Sequence, residues 1–282
     1  MRPLFLLSLF APAFALASAE GVNPKATDLF EIGGIPVSNS ILTTWILAVL
    51  IIIAVRVLVG TPKIIPNKGQ ALVENVASGL RDALEPIVGK KMIGKTFPVL
   101  CGFFVFILLM NWSGLLPGVG TIKYQSADGH WLDAIRPANS DLNTTLALSI
   151  LSFLAWTYFV LRYAGIKALV FDLFGNKADK RELSMLIWLM LGFIFLGVGV
   201  IEVLSIASRL ISLPFRLYGN VFGGENLIHT LGGIAPYVVP AVAGMLEVLV
   251  GLIQAFVFTL LSAVYIGLIC NHDAGHDDEH AH

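Results

Sequence analysis

Long apolar runs separated by short polar segments dominate the hydropathy pattern of the chain. Three runs are long enough to cross a bilayer once as helices, because about 20 apolar residues span its hydrocarbon core. These three spans are predicted at residues 41–60, 97–116 and 142–163. From residue 185 the sequence stays apolar almost to residue 270, and glycines and prolines at 232–240 divide this region. The pattern therefore predicts two long, tilted membrane helices, 185–231 and 238–270.

Residues 67–88 depart from this pattern, because apolar and charged positions are interspersed there. Such spacing predicts an amphipathic helix on the membrane surface. Of the 282 residues, 56% are hydrophobic and only 13% are charged, whereas a soluble domain carries about a quarter charged residues. The sequence therefore predicts an all-α polytopic membrane protein with a single membrane domain over residues 20–270. The net charge of −1 offers no case for nucleic-acid binding.

The two ends of the chain differ from this domain. The start, MRPLFLLSLFAPAFALASAE, has a basic residue, a short apolar run and the small residues Ala17-Ser18-Ala19. This order is typical of a secretory signal peptide, here residues 1–19. An uncleaved first membrane helix is the alternative, but Pro3 and Pro12 interrupt the run. The His-rich tail, 271–282, is expected to be solvated, with metal binding as the less favoured alternative.

The distribution of Lys and Arg predicts the orientation in the membrane. These residues concentrate in the segments 61–96 and 162–182, whereas 117–141 holds only Lys123 and Arg136. The positive-inside rule places the two basic segments in the cytoplasm. The mature N-terminus is then outside, as a signal peptide requires, and the His-rich tail ends inside.

Ionisable side chains occur within the last apolar region, where they are unexpected. A charged residue at the middle of a membrane helix costs about 2.5–3.5 kcal/mol on insertion scales, so such residues face protein or water. The helix predicted at 185–231 carries five of them: Glu202, Arg209, Arg216, Glu225 and His229. Arg216 is the most telling, because arginine cannot lose its proton to relieve the cost of burial.

The spacing of these residues assigns them to faces of the helix. Glu202, Arg209 and Arg216 are seven apart and share one stripe, and Asn220 follows one turn after Arg216. Glu225 lies about 180° around the helix from Arg216. These positions predict a charged stripe on one side of the helix and an acid on another.

Two further sets of residues add to this pattern. His229 follows Glu225 by one turn, and the last helix places Glu247 and Gln254 seven apart on one face. Glycines at 219, 223 and 224 leave room for close approach by a neighbour. Structural alternatives stay open: Arg209 as an interface anchor, Glu202 as its ion-pair partner, His229 as a core histidine, and Asn220 and Gln254 as interhelical hydrogen-bonding residues.

Four stretches of the chain resemble one known family. FRLYGNVFGGE, then LIQAFVFTLLSAVYI, with LLMNWSGLLPG and SDLNTTLALS upstream, resemble the a subunit of F-type ATP synthases over residues 40–270. In that family the subunit is the stator beside a rotating c ring and supplies two offset half-channels. The resemblance implies partners: the c ring, against which the two long helices pack, the b subunits of the peripheral stalk, the rest of the complex and membrane lipid. It implies no cofactor, no nucleotide chemistry on this chain and a bacterial-type inner membrane.

The resemblance also implies roles for individual residues. Arg216 matches the essential arginine that faces the ion-carrying carboxylate of the c ring, and Gln254 matches the residue that packs near it. The outer half-channel is implied for Asn220, Glu225, Glu247, Asp141 and Asn143, and the cytoplasmic half-channel for Glu202, Ser205 and Arg209. Acids stand at both Glu225 and Glu247, where some members pair an acid with a histidine, and His229 is a candidate for that imidazole. The coupling ion, H⁺ or Na⁺, stays open.

Two other classes of protein compete with this interpretation. A stand-alone secondary transporter or channel often shows internal repeats with paired broken helices, but the polar residues here concentrate after residue 200. A membrane enzyme such as an intramembrane protease needs a nucleophile with a base, or a metal cluster. Cys101 and Cys270 lack metal-ligand spacing and are interpreted as buried free thiols. Co-purification with a ring of small helical-hairpin subunits distinguishes the stator from both alternatives.

The signal-peptide interpretation makes a direct prediction about the mature protein. Its first residue is expected to be Glu20, because cleavage follows the small-residue site at Ala17-Ser18-Ala19. N-terminal sequencing of protein taken from the native membrane tests this, and recovery of residues 1–19 contradicts it.

Overall fold

The computed structural model of the protein describes residues 26–116, 119, 122–125, 131–133, 135–174, 185–232 and 238–270. Three predicted features lie outside these residues: the signal peptide 1–19, most of the segment GGIAPYVVP between the long helices, and the His-rich tail 271–282.

The described chain begins with a hairpin that the hydropathy pattern did not predict. Strands β1 (Asp28–Ile32) and β2 (Ile35–Ser38) pair antiparallel, with Phe30 opposite Val37 and Ile32 opposite Ile35. The turn is Gly33–Gly34, with φ of 59° and 84°. Both angles lie in the left-handed region that glycine adopts without steric cost and that two-residue hairpin turns require.

Seven α-helices follow within the described residues. They are α1 (Asn39–Val59), α2 (Lys68–Val88), α3 (Lys90–Trp112), α4 (Leu142–Phe159), α5 (Gly165–Phe174), α6 (Met185–Gly232) and α7 (Val238–Cys270). A second hairpin, β3 (Lys123–Gln125) with β4 (Trp131–Asp133), lies between α3 and α4. One turn of 3₁₀ helix, 113–115, extends α3, another, 138–140, precedes α4, and a π-helical turn, 160–164, follows α4.

Five of the described helical segments are long and apolar enough to cross a membrane. They are Asn39–Val59, Lys90–Leu115, Leu142–Lys167, Met190–Ile228 and Pro240–Ile269. The prediction of an all-α polytopic membrane protein with two long helices is confirmed.

Helix α2 is not one of these five. Its residues Leu80, Leu84 and Val88 are buried at four-residue intervals, whereas Arg81 and Asp82 are exposed. This is the one-sided burial expected of an amphipathic helix. Gly89, with φ of 88°, ends α2 and lets the chain turn into α3. Helix α3 starts at Lys90 and continues through Pro98, so it includes polar residues that precede its apolar run.

The chain forms two compact units. The first comprises Met1–Ala77, Gly102–Ala147 and Pro214–Phe258. Its buried side chains include Leu47, Ile107, Met110, Leu217 and Phe258, and the Phe103 ring meets the Phe258 ring edge-on at 5.8 Å. The second comprises Ser78–Cys101, Leu148–Leu213 and Thr259–His282, with a core that includes Leu84, Ile93, Leu100, Val160 and Ile266.

Hydrogen bonds between helices hold the second unit together where the membrane offers no water. The carbonyl of Leu210 has no helical N–H partner, because residue 214 is a proline. The Ser149 hydroxyl donates to this carbonyl at 3.0 Å. The hydroxyl oxygens of Ser152 and Ser262 form a hydrogen bond of 2.9 Å, and Trp156 Nε1 donates to the Tyr265 carbonyl at 3.1 Å. Such bonds satisfy backbone groups that hydrocarbon leaves unsolvated.

The close approach of α7 to the end of α2 generates a prediction about stability. A Cβ at Gly267 would overlap the carbonyl oxygen of Ile87 and lie 3.3 Å from Val88 Cα. Gly267→Val is therefore expected to lower the thermal midpoint of the solubilised protein, with a cost on the order of 1–3 kcal/mol or more, because two backbones must separate.

The matched control is Gly79→Val, in α2, where a Cβ meets nothing within 4 Å. Both substitutions change helix propensity equally, so their difference measures the clash. Heating the detergent-solubilised protein and quantifying the monodisperse fraction gives the midpoint. Equal midpoints for the two variants contradict the prediction.

Candidate functional site

Arg216 lies on an outward face of α6 in the first unit. Its neighbours Leu217 and Val221 are buried, whereas Arg216 itself is exposed and the adjacent Phe215 is 54% exposed. Among the residues that the structure describes, no hydrogen bond or ion pair reaches the Arg216 guanidinium. Exposed apolar side chains of α7 such as Met245 belong to the same unit. The unit thus carries a fixed cation on a largely apolar surface.

One turn beyond Arg216, an amide pair links the two long helices. Asn220 Nδ2 donates to Gln254 Oε1 at 3.2 Å. Gln254 is buried, and its Nε2 has no hydrogen-bond partner within the described part of the chain. The structure brings these two predicted residues together as an interhelical hydrogen bond, the structural alternative raised from the sequence. The predicted packing of Gln254 near Arg216 stays a prediction.

Glu225 faces the interior of the first unit. Arg136 Nη2 lies 3.6 Å from Glu225 Oε2, and the side chains are 4% and 10% exposed. Arg136 belongs to the irregular segment between β4 and α4. The sequence had assigned it only to a loop, so this partner was missed. Its only signal was its position just before SDLNTT, in the stretch IRPANSDLN.

Glu247 occupies space that glycines leave free. A Cβ at Gly224 on α6 would lie 2.9 Å from Glu247 Oε1, and one at Gly114 would lie 3.9 Å from it. The Glu247 and Glu225 carboxylates are also close enough to interact electrostatically. The first unit therefore gathers Glu225, Glu247 and Arg136 into one charged cluster.

The end of α3 is hydrogen-bonded to the backbone of α7, the helix that carries Glu247. Asn111 Nδ2 donates to the Gly251 carbonyl at 3.0 Å, and Trp112 Nε1 donates to the Val248 carbonyl at 3.0 Å. A Cβ at Gly251 would lie 3.1 Å from Asn111 Cβ, so glycine permits the close approach. Asn111 and Trp112 belong to LLMNWSGLLPG, and their contacts were not predicted from it.

Asp141 and Asn143 have a local structural role. Asp141 Oδ1 accepts a hydrogen bond from the Asn143 backbone N–H at 3.0 Å. Asp141 therefore acts as the N-cap of α4 and satisfies one of the free donors at its start. Asp141 is buried and Asn143 is exposed. No described hydrogen bond or ion pair joins either side chain to Glu225 or Glu247.

The backbone of His229 lies in the last turns of α6, but its side chain falls outside the described residues. Its predicted proximity to an acid stays a prediction.

The second unit contains Glu202, Ser205 and Arg209. The Arg209 guanidinium carbon lies 3.2 Å from the centre of the Tyr265 ring, and Arg209 Nε donates to the Ser205 carbonyl at 3.1 Å. A cation over an aromatic face is stabilised by the ring quadrupole. Glu202 is half-buried, and no described ion pair joins it to Arg209.

A small cavity of about 50 Å³ lies beside Arg209 in the same unit. It is lined by Ser149, Ser152, Trp156, Arg209, Ser262 and Tyr265, among others. Its volume is sufficient for water. Among the described residues, no group of three His, Cys, Asp or Glu side chains could hold a metal ion.

The first unit carries an outward arginine and, elsewhere in the same unit, two carboxylates with a second arginine. Ionisable groups of this kind within membrane-length helices are typical of an ion-translocating membrane protein. The chemistry available is proton exchange at carboxylates and charge stabilisation by fixed guanidinium groups.

Comparison with known proteins identifies the family. A family model described as ATP synthase A chain matches residues 41–267. ATP synthase subunit a 2 of Bradyrhizobium sp. (strain BTAi1) is 30% identical over 242 residues, which cover 86% of this chain and 93% of that protein. ATP synthase subunit a of Geotalea daltonii is 33% identical over 231 residues, which cover 81% of this chain and 86% of that protein. The chain belongs to the ATP synthase A chain family.

Membership in this family identifies the function of the chain as a subunit of the complex. The chain is a proton-translocating stator subunit of the membrane sector of an F-type ATP synthase, and it is a multi-pass membrane protein. The resemblance drawn from FRLYGNVFGGE and the upstream motifs is confirmed.

The glycine space around Glu247 generates a prediction about pumping. Gly224→Ala places a methyl group 2.9 Å from Glu247 Oε1, so the carboxylate must move. The resemblance assigns Glu247 to the proton path, so ATP-driven proton pumping is expected to fall about tenfold to a hundredfold, because displacement of a reacting group by about 1 Å has effects of this size. Assembly should persist, since the end of a flexible side chain can shift at little cost.

The control is Gly102→Ala on α3 in the same unit, where a Cβ meets nothing within 4 Å. Pumping is measured in inverted membrane vesicles and normalised to the assembled complex. Equal pumping rates for the two variants exclude a need for this carboxylate position.

Proposed function

We propose that this chain supplies two offset half-channels, one open to each side of the membrane, and that Arg216 separates them. The observation that supports this is the exposed Arg216 guanidinium, which no described group of the chain compensates. An uncompensated cation on an apolar surface needs an anion from outside the chain. The c ring, whose carboxylates move through the membrane, is the partner with that chemistry.

The mechanism follows from the cost of charge in lipid. A rotor carboxylate facing hydrocarbon travels in its neutral, protonated form, because the ionised form is too costly there. Beside Arg216 the ionised form becomes favourable, because an opposite charge stabilises it. The proton is then released on one side of Arg216. The same fixed charge repels a proton that would pass directly between the half-channels.

The charged cluster of the first unit supports an outer half-channel built on Glu225 and Glu247. Carboxylates can exchange protons at ordinary pH, directly or through water. Asn220 and Gln254 belong to this path by resemblance, and their mutual hydrogen bond joins the two helices that carry the acids. The remaining outer residues, His229, Asp141 and Asn143, belong to it by resemblance, and the observed capping role of Asp141 is compatible with a place at the opening.

The cytoplasmic half-channel is assigned to Glu202, Ser205 and Arg209. The cavity beside Arg209 supports water on this side, and the stacking of Arg209 on Tyr265 fixes its charge in place. The distribution of Lys and Arg supports the cytoplasmic side for the basic segments and the opposite side for the mature N-terminus. The partners are the c ring and the b subunits of the peripheral stalk, in a bacterial-type inner membrane.

Substitution of Arg216 separates its charge from its packing. Arg216→Ala is expected to lower the rate of ATP synthesis at least about a hundredfold, because the cation that stabilises the ionised rotor carboxylate is lost. Passive proton leak through the membrane sector should not fall and is expected to rise. Arg216→Lys should also fail, because an ammonium enclosed between this face and the rotor can lose its proton, and it lacks the planar fork.

The assay is ATP synthesis and proton leak in membrane vesicles, with assembly verified by c-ring content. Arg56→Ala serves as the control, since Arg56 is an exposed arginine near the end of another membrane-length helix, α1. Near-normal synthesis by an assembled Arg216→Ala complex overturns the proposed mechanism.

A further inference from the structure

Arg136 forms a buried ion pair with Glu225, but the mechanism above gives Arg136 no role of its own. Arg136 is 3% exposed, and its Nη2 lies 3.6 Å from Glu225 Oε2. The other described ion pair, Arg81 with Glu85, lies on the exposed face of α2, with side chains 52% and 31% exposed. Of these two described pairs, the Arg136 pair is the one that puts opposite charges out of reach of bulk water.

Burial makes this pair consequential. Arginine stays protonated in proteins, so a buried guanidinium requires a compensating negative charge. Removal of one partner from a buried pair leaves an uncompensated charge and is strongly unfavourable, whereas removal of both is often tolerated. Arg136 therefore constrains both the position and the charge of Glu225.

The segment that carries Arg136 is fixed to the helix ends around it. Pro137 packs against Gly114, where a Cβ would lie 3.1 Å from the proline ring. The Ala138 N–H donates to Ser113 Oγ at 3.4 Å, and Asn139 Nδ2 donates to Asn111 Oδ1 at 2.8 Å. Because Asn111 also bonds the Gly251 carbonyl, the segment is tied to α7 as well as to α3. These contacts hold the backbone beside Arg136 in place, so its guanidinium cannot follow a carboxylate that moves.

Glu225 has charged neighbours on more than one element of the chain. Arg136 approaches it from the segment before α4, and Glu247 approaches it from α7 across Gly224. His229 follows on the same helix, one turn further on. An unrestrained Glu225 carboxylate beside Glu247 would be repelled by it whenever both are ionised. The guanidinium holds the Glu225 carboxylate in place against that repulsion.

We infer that Arg136 is a positioning residue of the outer half-channel: its buried guanidinium fixes the Glu225 carboxylate next to Glu247, so that protons pass between the two acids. This inference rests on the proposed function, because it assigns Glu225 and Glu247 to one proton path. It adds a residue that no described hydrogen bond or ion pair joins to Arg216, and that acts through Glu225.

Three substitutions distinguish charge from packing at Arg136. Arg136→Gln removes the charge and keeps polarity, Arg136→Met fills similar space without charge, and Arg136→Lys keeps a cation. ATP-driven proton pumping per assembled complex is expected to fall at least about tenfold with Gln and Met. The Lys variant is expected to pump at least about threefold faster than either of them, because it keeps a cation. A packing role predicts instead that Met performs as well as Lys or better. Arg81→Gln, which breaks the exposed pair, is the control and should pump normally.

Assembly provides a second measurement if an uncharged variant does not reach the complex. In that case the double variant Arg136→Gln, Glu225→Gln is expected to restore assembly, because it removes both buried charges together. Failure of the double variant to assemble, when Arg136→Gln alone also fails, overturns the inference and leaves Arg136 as a packing residue of its segment.

Normal pumping by an assembled Arg136→Gln complex also overturns the inference. That result leaves the proposed function intact if Arg216→Ala still abolishes synthesis. Conversely, normal synthesis by Arg216→Ala defeats the proposed function whatever Arg136 does. The two sets of variants, measured in the same vesicles, therefore report on the two claims separately.

Discussion

An arginine cannot give up its charge inside a membrane, and the arrangement of this chain follows from that constraint. Arg136 is compensated by Glu225 in the interior of the first unit. Arg209 in the second unit is stabilised by the Tyr265 ring and the Ser205 carbonyl. Arg216 has no such partner among the described residues. The three arginines thus separate into two that serve the chain itself and one that is directed outward.

The surrounding helices are adapted to the same scarcity of water. The proline at 214 leaves the Leu210 carbonyl without a helical donor, and Ser149 supplies one. Asn111 and Trp112 bond carbonyls of α7, where glycine at 251 permits the approach. Gly224 leaves the space that the Glu247 carboxylate occupies. Small residues and side-chain hydrogen bonds therefore replace the hydrophobic effect as the means of bringing helices together.

Hydropathy alone predicted the membrane-length helices and the division of the last region, because the bilayer imposes length and apolarity on every span. The high cost of placing Arg216 in a membrane helix was also predictable, since that cost depends on local sequence alone. The ion pair of Arg136 was missed because its partner, Glu225, is far away in the sequence, and an arginine between two spans carries no signal of burial. Asp141 was predicted by resemblance as a channel residue, and its capping bond to Asn143 emerged only from the local backbone. The hairpin at Gly33–Gly34 was not predicted, because its strands are only five and four residues long and produce no long apolar run.

Most of the apolar surface of α6 is not buried within the chain, so the stability of the folded chain depends on how many partner subunits are available. Only 6% of the most apolar stretch of that helix is buried within the chain itself. Arg216 lies on the same helix, and without an anion it costs about 2.5–3.5 kcal/mol, a penalty that association with the proposed carboxylate-bearing partner would remove. A partner that binds only the folded form stabilises it by mass action. Copies made in excess of their partners are therefore the least stable ones in the membrane, and subunit stoichiometry is coupled to folding through a single side chain.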